Sequence, residues 1–144
     1  MKTALLALAL CVLLVGSGFA VAQEASAPAP ALSLELNALQ PVEDGCRVTF
    51  LATNGLGHPL DRAAVEMAFF GASGAIDRIV TLDFRALAEG KTKVLQFQLA
   101  RLDCAAVSRV LVNDITACEG EGLAPTACLA GLAPSARPDI AFGV

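Results

Sequence analysis

Apolar residues recur at every second position in a series of short runs, and this period constrains the fold more than any other feature of the chain. Leu95, Phe97 and Leu99 stand against Gln96 and Gln98. Leu32, Leu34 and Leu36 alternate with Ser33, Glu35 and Asn37, and Cys46, Val48, Phe50 and Ala52 with Arg47, Thr49, Leu51 and Thr53. A period of two places alternate side chains on opposite faces of an extended segment, so each run predicts a strand. Val65, Met67 and Phe69 carry the pattern through Ala63–Phe70, and Val80, Leu82 and Phe84 through Ile76–Leu87. Arg109–Ile115 is rich in β-branched residues and predicts a sixth strand. Ala63–Ala68 also has the composition of a helix start, but Gly71-Ala72-Ser73-Gly74 ends the run within eight residues, which favours a strand.

The runs are separated by turn-forming residues. Pro41-Val42-Glu43-Asp44-Gly45 combines a preset φ with an Asp-Gly pair suited to positive φ, and Ala88-Glu89-Gly90-Lys91 marks a second turn. Asn54–Pro59 reads as a loop, a short helical turn is expected between Asp103 and Ser108, and Asp139–Phe142 is a candidate edge strand. Six or seven short strands with no long helix between them predict an all-β fold, a two-sheet antiparallel β-sandwich of immunoglobulin-like type. The chain has neither Trp nor Tyr, so the buried Trp and tyrosine corner of antibody domains have no counterpart.

The N-terminus predicts export. Lys2 precedes an apolar run from Ala4 to Val15, then Gly16-Ser17-Gly18, then Ala20-Val21-Ala22, the layout of a secretory signal peptide cut between Ala22 and Gln23. The run is too short to cross ~30 Å of hydrocarbon. Cys11 lies inside it after Leu10, which does not suit a lipoprotein, and no arginine pair marks a twin-arginine leader. The expected organisation is a signal peptide over 1–22, a flexible Pro/Ala leader over 23–31, a β-sandwich domain over 32–118, and a Gly/Pro-rich tail over 119–144 tethered by a disulfide. Loss of Lys2 takes the net charge from −4 to −5. With its arginines scattered, the chain offers no electrostatic footprint for nucleic acid, and after signal cleavage no segment for a membrane.

Cleavage leaves Cys46, Cys104, Cys118 and Cys128, an even set in an exported chain, which predicts two disulfides. Four cysteines allow three connectivities. If the second and fifth strands are antiparallel neighbours, Cys46 lies near Cys104, and Cys118 with Cys128 closes a small loop. Cys-x-x-Cys spacings, which a redox or zinc site would use, do not occur.

Catalytic patterns are sparse. His58, the single histidine, precedes Asp61 and Arg62, and a loop imidazole beside a carboxylate can act as a base or ligand. Gly71-Ala72-Ser73-Gly74-Ala75 departs from a nucleophile elbow at its last position. Glu43/Asp44 and Glu119/Glu121 fall in turn-like segments, and Met67 alone after the leader does not suit copper handling. Asn113-Asp114, inside an apolar run, requires a buried polar residue with partners, a bulge or a strand end, and is a candidate surface site with His58 and Asp61. No cofactor or metal is implied.

Four stretches resemble a family of small exported proteins of Gram-negative bacteria often titled "Tat pathway signal sequence domain protein": Cys46–Phe50, Phe69–Gly71 with Leu82–Phe84, Lys93–Phe97 and Arg109–Cys118. The resemblance spans about residues 32–142, implies export and shared disulfides, and brings no catalytic residues. Lys2 without an arginine pair points instead to general secretion of an unfolded chain. The expected role is a non-catalytic periplasmic or secreted binding module, presenting a sheet face, an edge strand or the Asn54–Asp61 loop to an unidentified protein of the cell envelope. The alternative is a small hydrolase or ligand-binding protein using His58 and Asp61.

Overall fold

A computed structural model describes residues 29–144. The signal peptide, its Ala22/Gln23 cleavage site and most of the leader lie outside the described residues. The strands are β1 (Ala31–Val42), β2 (Gly45–Gly55), β3 (Leu60–Phe70), β4 (Ile76–Leu87), β5 (Thr92–Ala100), β6 (Arg109–Glu119), β7 (Leu132–Ala136) and β8 (Ala141–Gly143). A 3-10 turn at Cys104–Ala106 and one helical turn, α1 (Ala127–Ala130), complete the fold. Asp103 caps the 3-10 turn by accepting from the Ala105 amide at 3.0 Å.

The strands form two four-stranded sheets, ordered β5-β2-β1-β7 and β4-β3-β6-β8, packed as a sandwich. The β1–β2 hairpin turns through Glu43-Asp44, with Gly45 at φ 132°. A Cβ there would fall on the carbonyl oxygen of Leu99 and within 2.8 Å of the Arg101 amide nitrogen, so both the backbone angle and the neighbouring strand require glycine.

Leu32, Leu34 and Leu36 of β1, Val48 and Phe50 of β2, Val65, Met67 and Phe69 of β3, and Phe84 of β4 are buried between the sheets. Phe50 sits at the centre, with ring centroids 5.6 Å from Phe84, 6.2 Å from Phe97 and 5.8 Å from Phe142. It thereby joins residues from both sheets. Ala63–Phe70 is a strand, as the alternation of Val65, Met67 and Phe69 predicts.

The sheets are mixed rather than wholly antiparallel: β7 runs parallel to β1 and β8 parallel to β6. The path of the chain after Cys118 explains this. β6 ends at the end of the sandwich where β1 begins, so a segment that crosses there to the other sheet must run alongside β1 in the same sense. It leaves β7 at the opposite end, where β6 starts, and β8 then follows β6. The segment after Cys118 thus adds a strand to each sheet instead of hanging as a tail. The Asp139–Phe142 edge strand is present as Ala141–Gly143; β7, which contains Pro134, has no sequence pattern that announces it. Among the described residues no helix is long and apolar enough to cross a membrane.

Candidate interaction surface

Both cysteine pairings favoured by the sequence are present. Cys46 at the start of β2 is bonded to Cys104 in the 3-10 turn (Cα–Cα 5.2 Å), and Cys118 near the end of β6 to Cys128 in α1 (5.9 Å). The first ties β2 to the crossover between β5 and β6. The second holds α1 against the end of β6, from which the chain enters β7. Chain-entropy arguments assign about 4 kcal/mol to the longer loop and about 3 kcal/mol to the shorter.

His58 lies in the bend between β2 and β3 and is exposed. Its imidazole rests on Gly122, where a Cβ would come within 2.8 Å of the ring. Its carbonyl accepts from the Asn54 side chain at 2.8 Å. Asp61 is exposed on β3, and no hydrogen bond joins its side chain to that of His58. The structure therefore packs this loop against the Gly120–Gly122 segment without assembling a His–Asp pair. Among the described residues no group of three or more His, Cys, Asp or Glu side chains is placed to hold a metal ion.

Asn113 and Asp114 mark a bulge. Glu66 pairs with Asp114 and Met67 with Val112, which leaves Asn113 as the extra residue on β6. Both side chains reach solvent, so the apolar run is interrupted without burying a polar group. Asn113 donates to Glu66 Oε1 at 2.6 Å, and Asp114 accepts from the Ile115 amide at 2.8 Å. Each bond stays within the β3–β6 pair.

Asn54, which the sequence places in a loop, is fully buried. Its Nδ2 donates to the carbonyls of His58 and Leu87, its Oδ1 accepts from the Leu56 amide, and its carbonyl accepts from Gly90. It pins the β2–β3 loop to the β4–β5 connection, whose turn residues alone would not fix its position.

Two depressions lie on the side of the sandwich bounded by the edge strands β4 and β5. A depression of about 340 Å³ follows β5, lined by Lys93 to Phe97 with Asp83 and Arg85 of β4. A second, of about 280 Å³, lies at Ala86, Ala88 and Lys91–Lys93. Neither includes His58 or Asp61. Arg85 has φ 59° at a β4 bulge, where Asp83 accepts from its amide at 2.8 Å. That bond, helped by the Arg62 guanidinium 3.1 Å away, holds the Asp83 carboxyl below its ordinary pKa against a smaller opposing effect of burial.

The four sheet edges are not equally protected. β4 is irregular in register against β3 and carries Asp77, Arg78, Asp83 and Arg85. β7 has five residues and contains Pro134, and β8 has three. Charges, bulges, proline and short length are the usual guards against pairing with another chain. β5 has none of them over most of its length: nine residues in unbroken register with β2, without Pro or Gly, and with Lys93 as its single charge. Val94 is 62% exposed, and Leu95 and Phe97 are half-buried at the mouth of the core.

The direction of the β5 peptide groups follows from the ladder. The Leu32 amide donates to Gly131 and the Leu36 carbonyl accepts from Arg137, so the even-numbered residues at the start of β1 face β7. Ser33 pairs with Thr53, and Ala52 with Lys93. Alternation across the two antiparallel pairs then turns Lys93, Leu95 and Phe97 toward β2, and the peptide groups of Val94, Gln96 and Gln98 outward. The next outward carbonyl, that of Ala100, accepts from Arg78 at 2.7 Å. An unpaired stretch from Val94 to Gln98 remains.

The chain matches no family model, no curated protein and no solved structure.

Proposed function

We propose that this protein is an exported, non-catalytic interaction module of the cell envelope, periplasmic or secreted, that binds an extended protein segment along the outer edge of β5. The unguarded Val94–Gln98 edge carries this reading, because outward main-chain donors and acceptors beside partly covered apolar side chains are what strand addition uses. Export is supported by the Lys2-to-Ala22 leader and by two disulfides, which persist in oxidising compartments. The order β5-β2-β1 facing β4-β3-β6 supports an immunoglobulin-like sandwich. In that reading β7 and β8 stand in place of a closing antiparallel strand.

Site-specific photocrosslinking in the intact envelope tests the proposal. A crosslinking residue at position 94 or 96 is expected to give a discrete protein adduct, while one at the exposed position 116 on β6 gives none. Equal labelling from both faces, or no adduct from the β5 edge, would contradict it.

A further inference from the structure

We infer that the β5 edge pairs with the β5 edge of a second copy of this chain, antiparallel about a two-fold axis through Gln96. The inference rests on the interaction reading above and names the occupant of that same edge.

The sequence of β5 is self-complementary about this axis. Residue 96 lies opposite its own copy, Val94 opposite Gln98, Leu95 opposite Phe97 and Lys93 opposite Leu99. Within β5 no two like charges meet, because Lys93 is the only charge in the strand and its counterpart is apolar; the flanking Lys91 and Arg101 face each other only beyond it. Like charges directly opposite one another destabilise a strand pair, and β4, the other long edge, is broken by register shifts that β5 lacks. The peptide groups are also in phase. Val94, Gln96 and Gln98 all point outward, so the 96/96 and 94/98 pairs are hydrogen-bonded pairs and supply about six main-chain bonds.

Side-chain packing favours the same register. Leu95 and Phe97 point toward the core but are only half-buried, since the sheet stops at β5. The two-fold sets Leu95 of each copy against Phe97 of the other in non-hydrogen-bonded pairs, where side chains approach most closely. Four partly exposed apolar side chains are covered together. The depression along Lys93–Phe97, whose β4 wall is the Asp83 and Arg85 side, provides the space on each copy, and the Arg78 bond to the Ala100 carbonyl ends the free edge just beyond the paired stretch. The result is one continuous sheet across two sandwiches, an isologous and closed contact.

Sedimentation equilibrium of the oxidised protein, with Gln96→Glu and Gln96→Lys variants, tests this pairing. The wild type is expected to be dimeric at about 100 µM. Each variant places like charges face to face at the axis and is expected to dimerise at least about tenfold more weakly. An equimolar mixture of the two variants is expected to regain a dimer containing one of each. Gln96→Thr, a good strand residue without charge, is expected to stay dimeric and shows that the position tolerates change. Circular dichroism matching the wild type establishes that the charged variants fold. A wild-type monomer at that concentration would overturn the inference, as would a dimer indifferent to both charge variants. A monomer whose β5 edge nevertheless crosslinks to a different protein would overturn self-pairing and leave the interaction reading standing.

Discussion

The side-chain amide of Asn54 donates to the main-chain carbonyl of Leu87 at 2.9 Å, across a sequence separation of 33 residues and out of contact with water. The same nitrogen holds His58 and the side-chain oxygen holds Leu56, so one residue satisfies three main-chain groups, two in the β2–β3 loop and one at the end of β4. Asn54→Ala is expected to lower stability by about 2–4 kcal/mol, because the Leu87 carbonyl is left buried without this donor. Asn54→Asp should be worse, since a carboxylate would face two carbonyl oxygens. The urea midpoint, at unchanged m-value, measures both.

The two disulfides close loops of different length, with sequence separations of 58 and 10. Replacing Cys46 and Cys104 together by Ala is expected to cost about 4 kcal/mol, and replacing Cys118 and Cys128 about 3 kcal/mol. The second change should also release β7, whose place beside β1 depends on where α1 is held. Loss of amide protection in Leu132–Ala136 before the rest of the fold would show this by hydrogen exchange.

Gly45→Ala is expected to be among the most damaging single-methyl additions in the chain, because the new Cβ meets the Leu99 carbonyl and φ is 132°. A loss of more than about 2 kcal/mol is expected in chemical denaturation. Gly74→Ala offers a control: φ there is 81°, but a Cβ meets nothing within 4 Å. Its cost should be confined to the left-handed backbone, about 1 kcal/mol.

The lowered pKa of Asp83 has a definite sign in stability. A carboxylate depressed in the folded state stabilises the fold above its unfolded pKa, near 3.9. That contribution disappears as pH falls through the folded value. Asp83→Asn should therefore be less stable than wild type at neutral pH, and the difference should shrink below about pH 4. The pair with Arg62 is nearly half exposed on both sides, so its share is small and should diminish in salt. Parallel denaturation series against pH would resolve the two curves.

The strands were legible in the sequence because most of them have one buried and one solvated face, which writes the period of two directly into residue order. Leu95, Phe97 and Leu99 show the limit of that signal. Their alternation is as regular as that of an inner strand, yet only Leu99 is buried, because strand order across a sheet is a long-range property. Leu132-Ala133-Pro134-Ser135-Ala136 gave no strand pattern; its pairing is supplied by β1, a hundred residues earlier in the chain. Asn113-Asp114 signalled an irregularity, since two adjacent polar residues cannot both lie on the solvent face of a regular strand, but left a buried residue, a bulge and a strand end open; the register shows the bulge. Asn54 was hidden because Asn-Gly after a strand has the composition of an ordinary turn. It stands in β2 instead, and its burial depends on carbonyls brought in from β4 and from the loop that follows β2.

The most direct test is residue-resolved amide hydrogen exchange along β5 at two protein concentrations. In an isolated molecule Leu95 and Phe97 are protected by β2, and Val94, Gln96 and Gln98 exchange freely from the outer edge. At high concentration the self-paired edge is expected to protect Val94, Gln96 and Gln98 as well, with protection lost on dilution and absent in Gln96→Glu. Free exchange of those three amides at every concentration would contradict self-association through this edge.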